Sequence, residues 1–271
     1  MTRESRVCRR SARSSHALLA LIAAVVLSAA CGHAQARDGR ASDEWTRSYT
    51  LAPGGELQVV GGVGTIEVRG GTGSTVEVRA ERVVRAATDA LARPMVERVR
   101  IAEDVAAEKI VLRNEGLGGV VIGADVEINF RITVPAATRL RLRATGGRIT
   151  IADVEGSIVA STTNGPISGT GLRGGIDARA VNGDVSIDAA AVGADPVELR
   201  STNGSIELRL PAAADANVDA TTRNGSIDVG ELALETTGEQ STRRVRGRLN
   251  KGGAPVDLTT TNGDIRVRPR L

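Results

Sequence analysis

From Thr145 to Val229 the chain repeats one short phrase of polar and apolar positions: a glycine turn, one residue, a branched aliphatic residue, one residue, then a second aliphatic or small residue. Read as strands, the alternation points Ile149/Ile151, Ile158/Ala160, Ile167/Gly169, Ile176/Ala178 and Val185/Ile187 inward, then Val197/Leu199, Ile206/Leu208, Val218/Ala220 and Ile227/Val229. The step is nine residues from Ile149 to Val185; beyond that, steps of twelve and nine alternate. Every second turn carries Asn164-Gly165, Asn182-Gly183, Asn203-Gly204 or Asn224-Gly225, with Gly146-Gly147 in the first place. No single unit holds enough apolar residues for its own core, so the phrase predicts a stack of units that share one.

The pattern starts earlier and ends later. Leu57/Val59, Ile66/Val68 and Val76/Val78 alternate with Gln58, Glu67 and Glu77, and Val126 to Val134 alternates strictly until Pro135. A final coil is expected from Val256/Leu258 through Asn262-Gly263 to Ile265/Val267, with Pro269 removing a ladder donor at the last edge. Two excursions interrupt the rhythm. Residues 81–125 predict a short helix over Ala86 to Ala92 stopped by Pro94, then a hairpin, together covering one edge of the sheet. Residues 230–253 hold a basic cluster, Arg243, Arg244, Arg246, Arg248 and Lys251, read as a solvated loop or a contact with anionic glycans or lipids.

The expected fold class is therefore all-β, a single-stranded β-helix or β-solenoid with coils of about 18–21 residues and one short helix in an excursion. An antiparallel barrel of short strands joined by Asn-Gly hairpins is the rival. The Asn-Gly pairs are assigned to turns that need positive φ. The Ser and Thr residues before them, such as Ser161-Thr162-Thr163 and Thr259-Thr260-Thr261, are expected to stack from coil to coil.

An Arg-rich start followed by Ala17 to Ala30 reads as an export signal, too short to span a bilayer as a helix. Leu27-Ser28-Ala29-Ala30-Cys31 resembles a lipobox, which makes Cys31 the expected lipidation site and residues 1–30 the signal; cleavage after Ala34-Gln35-Ala36 gives 1–36 instead. Residues 31–48 are expected to be a tether and 49–271 the solenoid domain. Removing residues 1–36 takes five arginines and Glu4 from 35 basic and 32 acidic groups, leaving 30 and 31, a net charge of about −1. That balance argues against a nucleic-acid partner.

With His16 and His33 both ahead of the repeat region and no cysteine within it, Ser-His-Asp, Cys-His and zinc chemistry are not expected. Nor is any catalytic, cofactor-binding or metal-ligating residue assigned. The remaining candidates are the outward Asp177, Glu198, Asp219, Asp257, Glu207 and Asp228, with Arg179, Arg200 and Arg209 two residues from their acids. They read either as a charged solvated face or as the acids of a lyase or hydrolase. Asp184 and Asp264 are the places where a stray calcium site could form. Aromatics make up 1% of the chain, which suits a slim aliphatic tube.

The Asn-Gly-x-Ile/Val turns, the lead-in Phe130-Arg131-Ile132-Thr133-Val134-Pro135 and the closing Gly253-Ala254-Pro255-Val256-Asp257-Leu258 resemble the bacterial "putative adhesin" family of unknown function over residues 55–268. The resemblance implies a single-stranded β-helix-like fold in an exported or membrane-tethered envelope protein. The function expected is non-enzymatic and adhesin-like, with an envelope protein or glycan as partner and the membrane reached through a lipid anchor. The alternatives are a carbohydrate-active β-helix enzyme and an envelope-stress accessory protein acting through a protein partner.

Overall fold

The structure, a computed structural model, describes residues 39–117, 123–230, 232–237 and 241–270. Cys31 and the export signal lie outside the described residues. The first four strands are β1 (Gly39–Thr50), β2 (Glu56–Val60), β3 (Ile66–Gly71) and β4 (Thr75–Ala86), followed by α1 (Asp89–Val96). Next come β5 (Arg100–Ala106), β6 (Lys109–Gly116) and β7 (Asp125–Pro135). The repeat region then supplies strand pairs: β8 (Arg139–Gly146) with β9 (Ile149–Ala152), β10 (Ile158–Asn164) with β11 (Ile167–Leu172), β12 (Ile176–Asn182) with β13 (Val185–Ala189), β14 (Val197–Asn203) with β15 (Ile206–Leu210), and β16 (Ala216–Asn224) with β17 (Ile227–Asp228). The chain ends on β18 (Leu234–Thr236), β19 (Arg244–Leu249), β20 (Ala254–Asn262) and β21 (Ile265–Pro269).

Two sheets result, and each coil gives one strand to each. Sheet A runs β1-β4-β7-β3-β9-β11-β13-β15-β21-β17, and sheet B runs β18-β19-β16-β20-β14-β12-β10-β8-β2-β6-β5. The coils pair parallel and in register, with Ile158 opposite Ile176 and Ile176 opposite Val197. This is the solenoid pattern; an Asn-Gly hairpin barrel would pair antiparallel. The inward residues from Ile149 to Ala220 are buried, while Ile227 and Val229 are only partly covered at the outer end. Gly169 leaves its inward position empty, and Leu172 fills it: a Cβ on Gly169 would lie 2.5 Å from Leu172 Cδ1.

Coil order in space differs from coil order in sequence at both ends. The β2–β3 coil lies between β6–β7 and β8–β9, and the β20–β21 coil lies between β14–β15 and β16–β17. Antiparallel strands finish three of the four sheet ends: β4 and β1 beyond β7, β5 beyond β6, and β19 with β18 beyond β16. Pro269 therefore stands opposite Leu210 on the next-to-outermost strand of sheet A. It is tolerated at the last position of β21 because the neighbouring β17, two residues long, does not extend that far.

Other expectations change as well. Residues 39–48, read as tether, belong to β1, because their alternation matches β4 across twelve paired positions from Gly39–Ala86 to Thr50–Thr75. The helix starts at Asp89, after the Thr88 cap, and runs through Pro94 to Val96. It also holds β1, since Arg40 N–H donates to Asp89 Oδ1 at 2.8 Å. The basic cluster is strand β19 for the most part, since Val245 and Leu249 are buried on its inner side and Arg244, Arg246 and Arg248 face out.

Candidate functional site

The turns stack into two columns with different physics. Along the first, each asparagine amide donates to the next: Asn182 Nδ2 to Asn164 Oδ1 at 2.8 Å, Asn203 to Asn182 at 2.8 Å, Asn262 to Asn203 at 2.7 Å and Asn224 to Asn262 at 2.8 Å. None of these asparagines has positive φ; among the described non-glycine residues only Asp153 and Asn250 do. Asparagine is thus required for a side chain that both donates and accepts, not for its tolerance of left-handed backbone.

The second column is glycine. A Cβ on Gly165 would meet the Gly147 carbonyl oxygen at 2.1 Å, and one on Gly183 the Gly165 carbonyl at 2.0 Å. Gly165 does adopt a φ of 135°, but Gly183 is not in the left-handed region, so close stacking of backbones is the shared reason. The hydroxyls just inside the turns join neighbouring coils to these glycines: Ser201 to Gly183 O, Thr260 to Gly204 O and Thr222 to Gly263 O, at 2.8–2.9 Å. They therefore bond to backbone rather than to one another. Asp184 and Asp264 are also used between coils, accepting from the N–H groups of Ser205 and Ser226 at 2.7 and 2.9 Å. The Ser226 contacts hold the Asp264 carboxyl below the usual carboxylate range.

The outward face of sheet B carries three adjoining rows. In the acidic row, Asp177, Glu198, Asp257 and Asp219 stand side by side on neighbouring strands. Two residues on is a row of Arg143, Ser161, Arg179, Arg200 and Thr259. The third row comprises the residues preceding the turn asparagines, among them Thr163, Val181, Thr202 and Thr261. The second and third rows border an open groove of about 570 Å³. Arg179 pairs with Asp177 at 2.7 Å and Glu198 at 3.6 Å, and Arg200 with Glu198 at 2.6 Å. The exposed Arg143 guanidinium has no hydrogen bond or ion pair with a described residue. Burial, reinforced by the neighbouring Glu198 charge, raises the Asp177 carboxyl above its ordinary value despite the attraction of Arg179.

A larger groove on sheet A, about 830 Å³, neutralises itself. Arg270 meets Asp188 at 2.9 Å, Arg209 meets Glu207 at 2.7 Å, and Arg268 meets Asp228 at 2.6 Å. Arg268 and the Gly230 N–H lower the Asp228 carboxyl to about 2. Among the described residues no three His, Cys, Asp or Glu side chains are grouped to hold a metal, and no helix is long and apolar enough to cross a membrane.

Sequence reasoning identified Asp177, Glu198 and their arginines but missed the groove. Thr259 stands opposite Arg200, and Thr261 borders the same groove, only because the last coil is inserted beside β14. The signal was present in the matching phrases Val197-Glu198-Leu199 and Val256-Asp257-Leu258, each leading to Asn-Gly, but like phrases do not reveal the order of stacking.

These features define a two-sided parallel β-solenoid with an asparagine ladder along its turns and a charged open face. The chain belongs to the Toastrack DUF4097 family, whose model matches residues 96–268. It is similar to a crystal structure titled as a putative cell adhesion protein from Clostridium sporogenes, at 14% identity, with 84% of this chain and 100% of that chain covered and a TM-score of 0.49. A putative adhesin from Bacteroides fragilis matches at 13% identity over 84% and 97% of the two chains, with a TM-score of 0.35. A putative lipid binding protein from Parabacteroides distasonis matches at 12% over 84% and 97%, with a TM-score of 0.22. No curated protein matches the chain.

Proposed function

We propose that the protein is an exported, non-enzymatic, adhesin-like component of the bacterial envelope, anchored by a lipid on Cys31, that contacts an acidic envelope glycan through the groove of sheet B. The observation that carries this reading is Arg143, an exposed cation with no acidic partner among the described residues, in line with Arg179, Arg200 and a row of hydroxyls. Parallel strands are spaced about 4.8 Å apart, so a chain laid along the solenoid axis meets a new rung at about the length of one sugar ring. Guanidinium groups suit carboxylate or phosphate on such a chain.

The test is retention of the folded protein on immobilised uronate- or phosphate-bearing polysaccharides. Wild type is expected to bind, with affinity falling as salt rises, and Arg143→Ala/Arg200→Ala to bind at least several-fold more weakly. Equal retention of both proteins overturns the groove. Palmitate labelling of wild type but not Cys31→Ala supports the anchor; an unlabelled wild type removes it.

A second reading, a carbohydrate-active enzyme, is favoured by the Asp177–Arg179–Glu198 group and the raised Asp177 carboxyl. Against it, the acids lie on an open sheet and are held by ion pairs, with no walls to position a sugar. Release of reducing or unsaturated ends from a polysaccharide by wild type, abolished in Asp177→Asn, would establish the enzyme.

A further inference from the structure

We infer that Asn224 is a site of spontaneous deamidation, because among the described residues the Gly225 N–H and the Asn224 Oδ1 are left without hydrogen-bond partners, whereas the matching N–H and Oδ1 are engaged at the other four Asn-Gly pairs; the Asn224 amide keeps only its donation to Asn262 Oδ1. The reaction needs the glycine nitrogen as nucleophile and the asparagine side-chain amide carbon as electrophile. At four pairs the nucleophile is occupied: Gly165 N–H donates to Asn182 O at 2.8 Å, Gly183 to Asn203 O at 2.9 Å, Gly204 to Asn262 O at 2.9 Å and Gly263 to Asn224 O at 3.0 Å. The same four asparagines have their Oδ1 held by the amide of the next rung.

Both columns run in one direction and end at the same coil. Gly225 N–H donates to no described residue and Asn224 Oδ1 accepts from none, and both residues are exposed to water. The cause is topological. The inserted β20–β21 coil lies on one side of β16–β17, and no further Asn-Gly turn follows on the other side.

The chemistry closes with water as the only co-reactant. Gly225 N gives its proton to solvent base and attacks Asn224 Cγ; the bond from Cγ to the side-chain nitrogen breaks, and ammonia leaves. Water then opens the five-membered imide. Cleavage between Gly225 N and the former Cγ gives aspartate, and cleavage at the backbone carbonyl gives isoaspartate. Aspartate cannot donate to Asn262 Oδ1, so that rung is lost unless the amides of Asn262 and the rungs behind it turn over, aiming their donors at the new carboxylate. Isoaspartate adds a carbon to the backbone between β16 and β17 and displaces the outermost strand of sheet A.

The test incubates the folded chain and a urea-unfolded sample at mildly alkaline pH, then follows the five Asn-Gly peptides by mass spectrometry with fragmentation that separates aspartate from isoaspartate. Relative to its own rate in the unfolded chain, Asn224 is expected to react about tenfold or more faster than Asn164, Asn182, Asn203 and Asn262, the scale set by one or two hydrogen bonds. Equal protection of all five in the folded chain, or fastest reaction at another asparagine, overturns the assignment. As a second measurement, Asn262→Ala frees Oδ1 of Asn203 but leaves the Gly204 N–H bonded to the residue 262 carbonyl. Deamidation at Asn203 should therefore stay well below that at Asn224, and a rate equal to it contradicts the role given to the nucleophile.

Discussion

Asn262 donates its side-chain amide to Asn203 across 59 residues of sequence and accepts from Asn224, 38 residues before it. The coil made last is thus not the outermost one. It enters between two coils already described by the chain, and Val256 consequently faces Val197 on one side and Val218 on the other. The amino-terminal end repeats the device, with β2 paired to both β6 and β8. In a sequential solenoid the terminal repeat has one neighbour; here each terminal coil has two, and antiparallel strands finish most sheet ends.

Removal of the inserted coil should cost more than removal of one end repeat. A chain ending at residue 250 is expected to lose amide protection in both 197–208 and 216–222 while retaining it from 139 to 189. Hydrogen exchange read by mass spectrometry checks this. Protection retained in β14 and β15 would show that the last coil is peripheral.

The glycine column predicts a difference between two Gly→Ala changes. At Gly183 the new Cβ would meet a backbone carbonyl at 2.0 Å, which no rotamer change relieves, while at Gly193 it would meet nothing within 4 Å. Gly183→Ala is expected to lower unfolding free energy by about 1–3 kcal/mol, the range of core overpacking, with Gly193→Ala close to wild type. Urea unfolding midpoints measure both.

Ladder position should matter too. Asn203→Ala removes two amide–amide bonds and Asn164→Ala one, each worth about 0.5–1.5 kcal/mol net. Thermal unfolding should therefore show a loss at Asn203 about twice that at Asn164. Equal losses would mean that the rungs do not act as a chain.

The coils were legible in the sequence because burial imposes a period of two on Ile, Val and Leu, and the turns punctuate it. Ile149 to Leu208 could be placed inward from that alone. The order of the coils was not legible: Asn203 and Asn262 sit in near-identical phrases, and nothing local says which phrase is the neighbour of which. The job of asparagine was misread for a related reason. Positive φ is a property of one turn, whereas a donor–acceptor ladder exists only between turns. Asp177 and Glu198 were found from their spacing, but the solitary Arg143 could be recognised only once its neighbours Val60 and Ser161 were known to lack an acid.

Two carboxylates should respond to pH with opposite signs. Asp177 is raised above its ordinary value, chiefly by burial, so its charge weakens the fold at neutral pH; the penalty fades as pH falls through its folded value. Asp177→Asn should raise the melting temperature at pH 7, with the gain gone below about 3.9, where the unfolded carboxylate is also protonated. Asp228 is lowered to about 2 by Arg268 and Gly230 N–H, so its contribution is present above the ordinary carboxylate value and disappears as pH falls toward about 2. Asp228→Asn should therefore lower the melting temperature at pH 7 and converge on wild type at the acid end. Calorimetry across pH distinguishes these signs.

The placement of the final coil is tested most directly by engineered cysteine pairs in a Cys8→Ser/Cys31→Ser background. Glu198 and Asp257 are directly opposite on adjacent strands, within the Cα range of about 4.4–6.8 Å that a disulfide needs. Glu198 and Asp219 are two strands apart, about 9.6 Å at the usual spacing, beyond that range. Mild oxidation is predicted to join Glu198→Cys to Asp257→Cys nearly completely and to leave Glu198→Cys and Asp219→Cys unjoined. The opposite result would place the coils in sequence order, and the ladder, the groove and the exposed end at Asn224 would all have to be redrawn.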